Sequence, residues 1–125
     1  MHAPLQVRIR AGGPELAADL YLPPPGPQPL PAVVTAPAPG RVPDMPPPPF
    51  PHALTRAGIA TLALDYAGFG GSAGLPRQDL DPLAQIRDLR RGLDFLSSDA
   101  RIDARRLGAF GPSMCGAHVL VLAGQ

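Results

Sequence analysis

Leu5, Val7 and Ile9 alternate with polar neighbours, Ala11-Gly12-Gly13-Pro14 supplies a turn, and Leu16, Ala18, Leu20 and Leu22 alternate again. Period-two patterning on both sides of a turn predicts a β-hairpin, with strands near 5–10 and 15–22. The runs 32–36 and 59–64 are continuously apolar, the pattern of short strands covered on both faces. A third such run lies at 107–110. Phe50 to Ala57 predicts a short helix closed by Gly58 as C-cap. Leu83, Ile86, Leu89, Leu93 and Leu96 recur at three- and four-residue steps, which predicts an amphipathic helix over 82–97. Asp81 suits its N-cap and Pro82 its first position. Asp88, Arg90, Arg91 and Asp94 fall on the other faces and read as solvated surface. A last helix is expected over 114–123. Strands alternating with helices imply a parallel sheet built from right-handed crossovers.

Composition changes this picture in two places. Fourteen of the 19 prolines lie between Pro23 and Pro51. Such runs favour extended backbone and complete neither helices nor central strands. They read as loops joining strands, with a Pro-rich recognition ligand as the other reading. The chain is then one domain over 1–125: a hairpin (1–22), a Pro-rich linker with loops (23–51) and a βαβ core (52–125). All 11 basic residues are arginine, against ten acids, for a net charge of +1. They form no basic stripe, so nucleic acid is not expected as a partner. A single cysteine excludes a disulfide framework and a cysteine-cluster zinc site. No metal or cofactor is called for. Neither a signal-peptide pattern nor an 18-residue apolar run is present, so the expectation is a cytoplasmic chain without a membrane partner.

The chemistry concentrates at Phe110-Gly111-Pro112-Ser113-Met114-Cys115-Gly116. A short strand runs into a serine among small neighbours and then into a helix-like segment. That is the context a G-x-S-x-G elbow requires, since the serine hydroxyl must project from a tight turn above the sheet. Cys115 stands where the motif has glycine. Ser113 is the candidate nucleophile, and it needs an adjacent base to ionise; the plainer role is a turn serine bonded to local backbone. Three histidines are available. His118 falls about 140° around a helix from Ser113 and cannot reach back over the elbow. His52 lies in the Pro-rich loop or the short helix, and His2 at the N-terminus; both read as surface or packing residues. Cys115 reads as a small buried residue.

These segments together resemble the α/β-hydrolases. Pro31 to Ala36, Asp65-Tyr66-Ala67-Gly68-Phe69-Gly70-Gly71-Ser72, Leu75-Pro76-Arg77-Gln78, Ile102-Asp103-Ala104-Arg105-Arg106-Leu107 and the serine elbow follow the order of that family. The branch they look most like contains dienelactone-hydrolase-like and X-prolyl-peptidase-like proteins. Gly111 to Val119 is similar to a subgroup pattern, G-x-S-x-S-G-G-H-V, in which Cys115 is a small-for-small exchange. The resemblance implies a three-layer α/β sheet truncated after the nucleophile elbow and its helix. It implies a serine hydrolase of a small acyl substrate (ester, thioester or amide), and a structural role for His118. Asp65 is implied to hold the turn after its strand, and Asp103 with Arg106 reads as a turn-stabilising pair.

Such hydrolases carry the acid and the histidine after the serine, whereas only residues 114–125 follow Ser113 here. The expectation is the N-terminal half of the fold, inactive alone, with an open strand edge that invites self-association or the missing C-terminal half. One oxyanion-hole donor is expected at the Met114 N–H. The other belongs to the loop after the third strand, where the family resembles H-G-x. In one register Pro37-Ala38-Pro39 takes those places, so the donor expected at Pro39 is missing, because proline has no N–H. In the other register Pro39-Gly40-Arg41 takes them and Arg41 donates. Beside the hydrolase stand two further readings: a non-catalytic remnant that binds a protein or acyl compound, and a Pro-rich adaptor, which fits poorly with the buried strands.

Overall fold

The computed structural model describes residues 4–36, 50–69, 71–74, 81–110, 118 and 122–124. Five strands and two helices follow in the order β1 (Leu5–Ile9), β2 (Leu16–Tyr21), β3 (Leu30–Thr35), α1 (Phe50–Arg56), β4 (Ala60–Leu64), α2 (Pro82–Ser98) and β5 (Ile102–Ala109). The strands form one sheet in the order β1-β2-β4-β3-β5. β1 and β2 are the antiparallel hairpin, with Val7 opposite Ala18, and β2 runs antiparallel to β4. β4, β3 and β5 are parallel.

Alternation along β2 separates the two faces. Leu16, Ala18 and Leu20 are buried, and with Val34, Leu62 and Leu64 they form the core beneath α2. α2 sits very close to the sheet at Gly92: a Cβ there would come within 2.6 Å of Val34 Cγ2 and 2.8 Å of Leu64 Cδ2. α1 covers the opposite face, where His52 meets Tyr21 edge-on at 5.4 Å between ring centroids. The layering follows from connectivity. The crossover from β3 to β4 moves one way across the sheet and that from β4 to β5 moves the other. Right-handed crossovers in opposite directions place their helices on opposite faces.

The local signals act as expected at both helix ends. Asp81 caps α2 by accepting from Ala84 N at 3.2 Å, with Pro82 in the first turn. Gly58, at φ +87°, ends α1 through the paired bonds Ile59 N→Leu54 O and Gly58 N→Thr55 O.

Three expectations need correction. β5 begins at Ile102, well before the apolar run 107–110. Its register jumps from Leu30↔Ile102 to Ala32↔Leu107, so residues 103–106, three of them charged, form a bulged excursion inside the strand. Asp103 steadies it, accepting from Arg105 N at 2.9 Å and from Arg106 Nε at 3.0 Å. Leu83 is 72% exposed and lies off the buried stripe. Asp88 and Arg91 are not solvated surface: they are 5% and 8% exposed. Arg91 donates to the carbonyls of Ala11 (2.9 Å), Pro14 (2.6 Å) and Ile9 (3.3 Å), and to Asp88 Oδ1 at 3.2 Å. One guanidinium thereby closes the β1–β2 turn onto α2, since its fork of donors matches three converging carbonyls.

Candidate active site

β3 and β5 are neighbours and parallel, so the segments that leave them emerge at the same end of the sheet. Phe110 N still donates to Val34 O at 2.9 Å, keeping the two strands paired to their last residues. The chain leaves β3 through Thr35 and Ala36 toward Pro39, and leaves β5 through Phe110 toward Ser113. In open parallel sheets the crevice at the strands' carboxyl ends, where crossovers depart in opposite directions, is where sites gather. Thr35 closes β3 at 2% exposure, and its hydroxyl has no hydrogen-bond partner among the described residues. Ser113, Met114, Cys115 and Pro39 themselves lie outside the described residues, as does His2.

The loop after β4 is the third segment at this end, and it is held from two sides. Asp65 Oδ2 accepts from Gly71 N at 3.1 Å, which is the turn-holding role expected of Asp65. Ser72 Oγ donates to Asp65 O at 2.6 Å and accepts from Ala17 N at 2.8 Å, joining the loop to β2. From the α2 side, Asp88 Oδ2 accepts from Ala67 N at 2.8 Å. At Gly74, φ is +126° and a Cβ would lie 2.8 Å from Gly68 N, so this return of the loop requires glycine.

His118 is helical and 4% exposed. Its Nε2 lies 2.7 Å from Gln85 Oε1 on α2, and its ring meets Tyr66 edge-on at 6.0 Å. Burial pushes its pKa below the ordinary imidazole value. His52 is on α1, across the sheet from α2. His118 is engaged by Gln85 and Tyr66, and His52 by Tyr21. The structure thus brings the exits of β3, β4 and β5 together, with His118 beside Tyr66 of the loop after β4 and His52 across the sheet on α1. Sequence reasoning missed Gln85; its one signal was the spacing Gln85-x-x-Asp88-x-x-Arg91, a row of polar residues beside the apolar stripe.

A separate hollow of about 250 Å³ lies over β1, β2 and β4, lined by Arg8, Asp19, Ala63, Asp65 and Gly71 among others. Burial, and then the charge of Asp65, push the Asp19 carboxyl up. This polar hollow is on the hairpin flank, away from the exits of β3 and β5. Among the described residues no His, Cys, Asp and Glu cluster could hold a metal ion, and no helix is long and apolar enough to cross a membrane.

No protein-family model matches the sequence. Solved structures do. The alpha/beta hydrolase GrgF from Penicillium sp. superposes with a TM-score of 0.84 at 23% identity, over 95% of this chain and 40% of its own. The chain has the α/β-hydrolase fold. It fits the N-terminal half of that fold. Est1E from Butyrivibrio proteoclasticus, solved with ferulic acid bound, matches this chain with a TM-score of 0.79 at 22% identity, over 94% of the chain and 46% of its own. PA2218 from Pseudomonas aeruginosa reaches a TM-score of 0.84 at 31% identity, over 94% and 37%. Among sequence relatives, the quorum-quenching protein AidA of Acinetobacter baumannii is 38% identical over 74 residues, 59% of this chain and 24% of its own. The thiohydrolase apmlB of Arthrinium phaeospermum is 37% identical over 68 residues, 54% and 22%. The chain spans about a quarter of the length of these curated relatives.

Proposed function

We propose that this α/β-hydrolase chain carries the nucleophile of a serine hydrolase acting on a small acyl substrate. Ser113 Oγ attacks the acyl carbon, the carbon–heteroatom bond breaks, and the alcohol, thiol or amine leaves with a proton. Water then releases the acid and frees the serine. Among ester, thioester and amide, the relatives named as thiohydrolases favour a thioester. The observation that carries this reading is the pairing of β3 with β5 up to Phe110 N→Val34 O. It ends β3 and β5 side by side, the start that a nucleophile elbow and its oxyanion loop require. Met114 N–H is the first donor to the oxyanion. If Pro37 to Pro39 holds the second position, a donor is missing there, a loss of roughly 3–4 kcal/mol of transition-state stabilisation. That same deficit favours the alternative, a non-catalytic remnant that binds an acyl compound or a protein. A single cysteine suits a cytoplasmic enzyme.

These 125 residues alone are expected to be inactive, because neither described histidine is free to serve Ser113 as a base. His118 and His52 are committed elsewhere, and the family order puts base and acid after the serine. The test measures release of p-nitrophenol from acyl esters and of thiol from acyl thioesters. The chain alone should give little turnover. Joined to the segment that follows the serine in a relative such as apmlB, or mixed with it as a second chain, it should hydrolyse, and Ser113→Ala should abolish the activity. Fast hydrolysis by the 125 residues, lost on Ser113→Ala, would overturn the assignment of the histidines. A folded, completed protein without turnover would favour the binding remnant.

A further inference from the structure

Gln85, Asp88 and Arg91 lie three residues apart on α2, so they form one row beside the row that packs on the sheet. All three are buried, and each reaches a different segment. Arg91 holds the hairpin turn, Asp88 holds Ala67 after β4, and Gln85 holds His118. The first two brace backbone. Only Gln85 acts on a side chain of the segment that follows Ser113.

We propose that Gln85 is a positioning residue of the hydrolase site: by accepting from His118 Nε2 it keeps that imidazole in one neutral tautomer and fixes His118 against α2. The role at the site rests on the reading of Ser113 as nucleophile. An amide oxygen has only lone pairs to offer, so at 2.7 Å the imidazole nitrogen must be the donor. A proton on Nε2 is shared by the neutral Nε2–H tautomer and the imidazolium, and in the neutral ring Nδ1 is left as a lone pair. The groups seen facing it agree with that state: Tyr66 presents a ring and Gln85 an amide, neither charged, while Asp88 is occupied by Arg91 and Ala67 N. Burial also disfavours the imidazolium. Gln85 Nε2 is buried with no partner among the described residues. A methionine would fill the same space without that unpaired donor, so the glutamine is explained by what its oxygen does. His118 is five residues from Ser113 in the chain. Displacements of about 1 Å in catalytic groups change rates by about a hundredfold, so a lock five residues along the chain bears on the aim of the serine.

The experiment is nitrogen-15 NMR of the histidine-labelled 125-residue chain, with His118→Gln to assign the signal. The expected result is a neutral Nε2–H imidazole for His118 at pH 7. Gln85→Met should give mixed tautomers and roughly tenfold faster amide exchange at residues 118 and 122–124. Gln85→Glu, which keeps an acceptor, should restore a single ring orientation. An Nδ1–H or cationic His118 in the unaltered chain overturns the proposal, and this readout stands even if Gln85→Met fails to fold. So does a Gln85→Met chain with unchanged tautomer and exchange. None of these measurements needs turnover. A chain with the lock intact whose completed form never hydrolyses would overturn the reading of Ser113 and leave the lock in place.

Discussion

Asp88 with Arg91, and Asp103 with Arg106, are the same pair in sequence: an acid, two residues, an arginine. Their contacts are nearly equal, 3.2 Å and 3.0 Å. Their surroundings are not. The side chains of Arg91 and Asp88 are 9% and 7% exposed, whereas Arg106 is 55% exposed beside an Asp103 at 10%. Arg91 spends its donors on three backbone carbonyls, and Asp88 gives its second oxygen to Ala67 N. Removing one partner there strands a charge away from water. In the bulge of β5, water replaces whatever Arg106 gives up. The spacing sets the contact, and the chain packed over it sets its worth.

Arg91→Ala should be the most damaging change, destabilising by roughly 3–5 kcal/mol because Asp88 is left buried and unpaired. Urea unfolding followed by circular dichroism measures it. Adding Asp88→Asn, which removes the charge but keeps an acceptor for Ala67 N, should recover part of the loss; no recovery would mean that the carbonyl contacts carry it all. Gly92→Ala asks why the first pair is buried, since α2 sits deep at that residue. Helix propensity favours alanine by about 1 kcal/mol. A Cβ at 2.6 Å from Val34 and 2.8 Å from Leu64 opposes it, and overpacking of about 1–3 kcal/mol should win. A stabilised Gly92→Ala chain would show that α2 can lift off the sheet. Arg106→Ala should shift stability by about 1 kcal/mol or less. A loss matching Arg91→Ala would erase the contrast between the two pairs.

The smallest effect is one of acid titration. The backbone N–H of Arg105, then the Arg106 and Arg105 side chains, hold the Asp103 carboxyl below the usual carboxylate range. A carboxyl lowered in the folded chain binds its proton later than in the unfolded chain. Its contribution is therefore complete above the ordinary carboxylate value of about 3.9 and is lost as pH falls through the lower folded value. Asp103→Asn should flatten stability against pH in that window alone. Unfolding midpoints from pH 2 to 6 read it directly.

Where one local rule governs, the sequence was enough. Alternation placed the hairpin, Asp81 and Pro82 placed the start of α2, and Gly58 placed the end of α1. Where a residue's role depends on chain arriving from elsewhere, it was not. An apolar stripe shows that a helix lies on something, but not how far its cover extends. α2 is covered by the sheet, by the loop after β4, by the hairpin turn and by the segment of His118, so Gln85, Asp88 and Arg91 are buried in a row that reads as surface. Leu83 errs the other way, in phase with the stripe yet at the uncovered first turn. The start of β5 was hidden because its bulge breaks the period with charged residues. At the candidate site, the elbow motif proposes Ser113 and Met114 by type and order, and both lie outside the described residues. Gln85 carries no motif and emerges only from its 2.7 Å contact with His118.

The guanidinium that closes the hairpin also dictates when the hairpin can be finished. The carbonyls of Ile9, Ala11 and Pro14 find their donor 82, 80 and 77 positions further along the chain. During synthesis the first two strands leave the ribosome long before Arg91 exists. Until α2 emerges, those three carbonyls have only water, and until β4 emerges the hairpin has only its own ladder, which leaves a two-stranded hairpin marginal in water. The N-terminal strands are therefore the first part of this fold to be made and among the last to be secured.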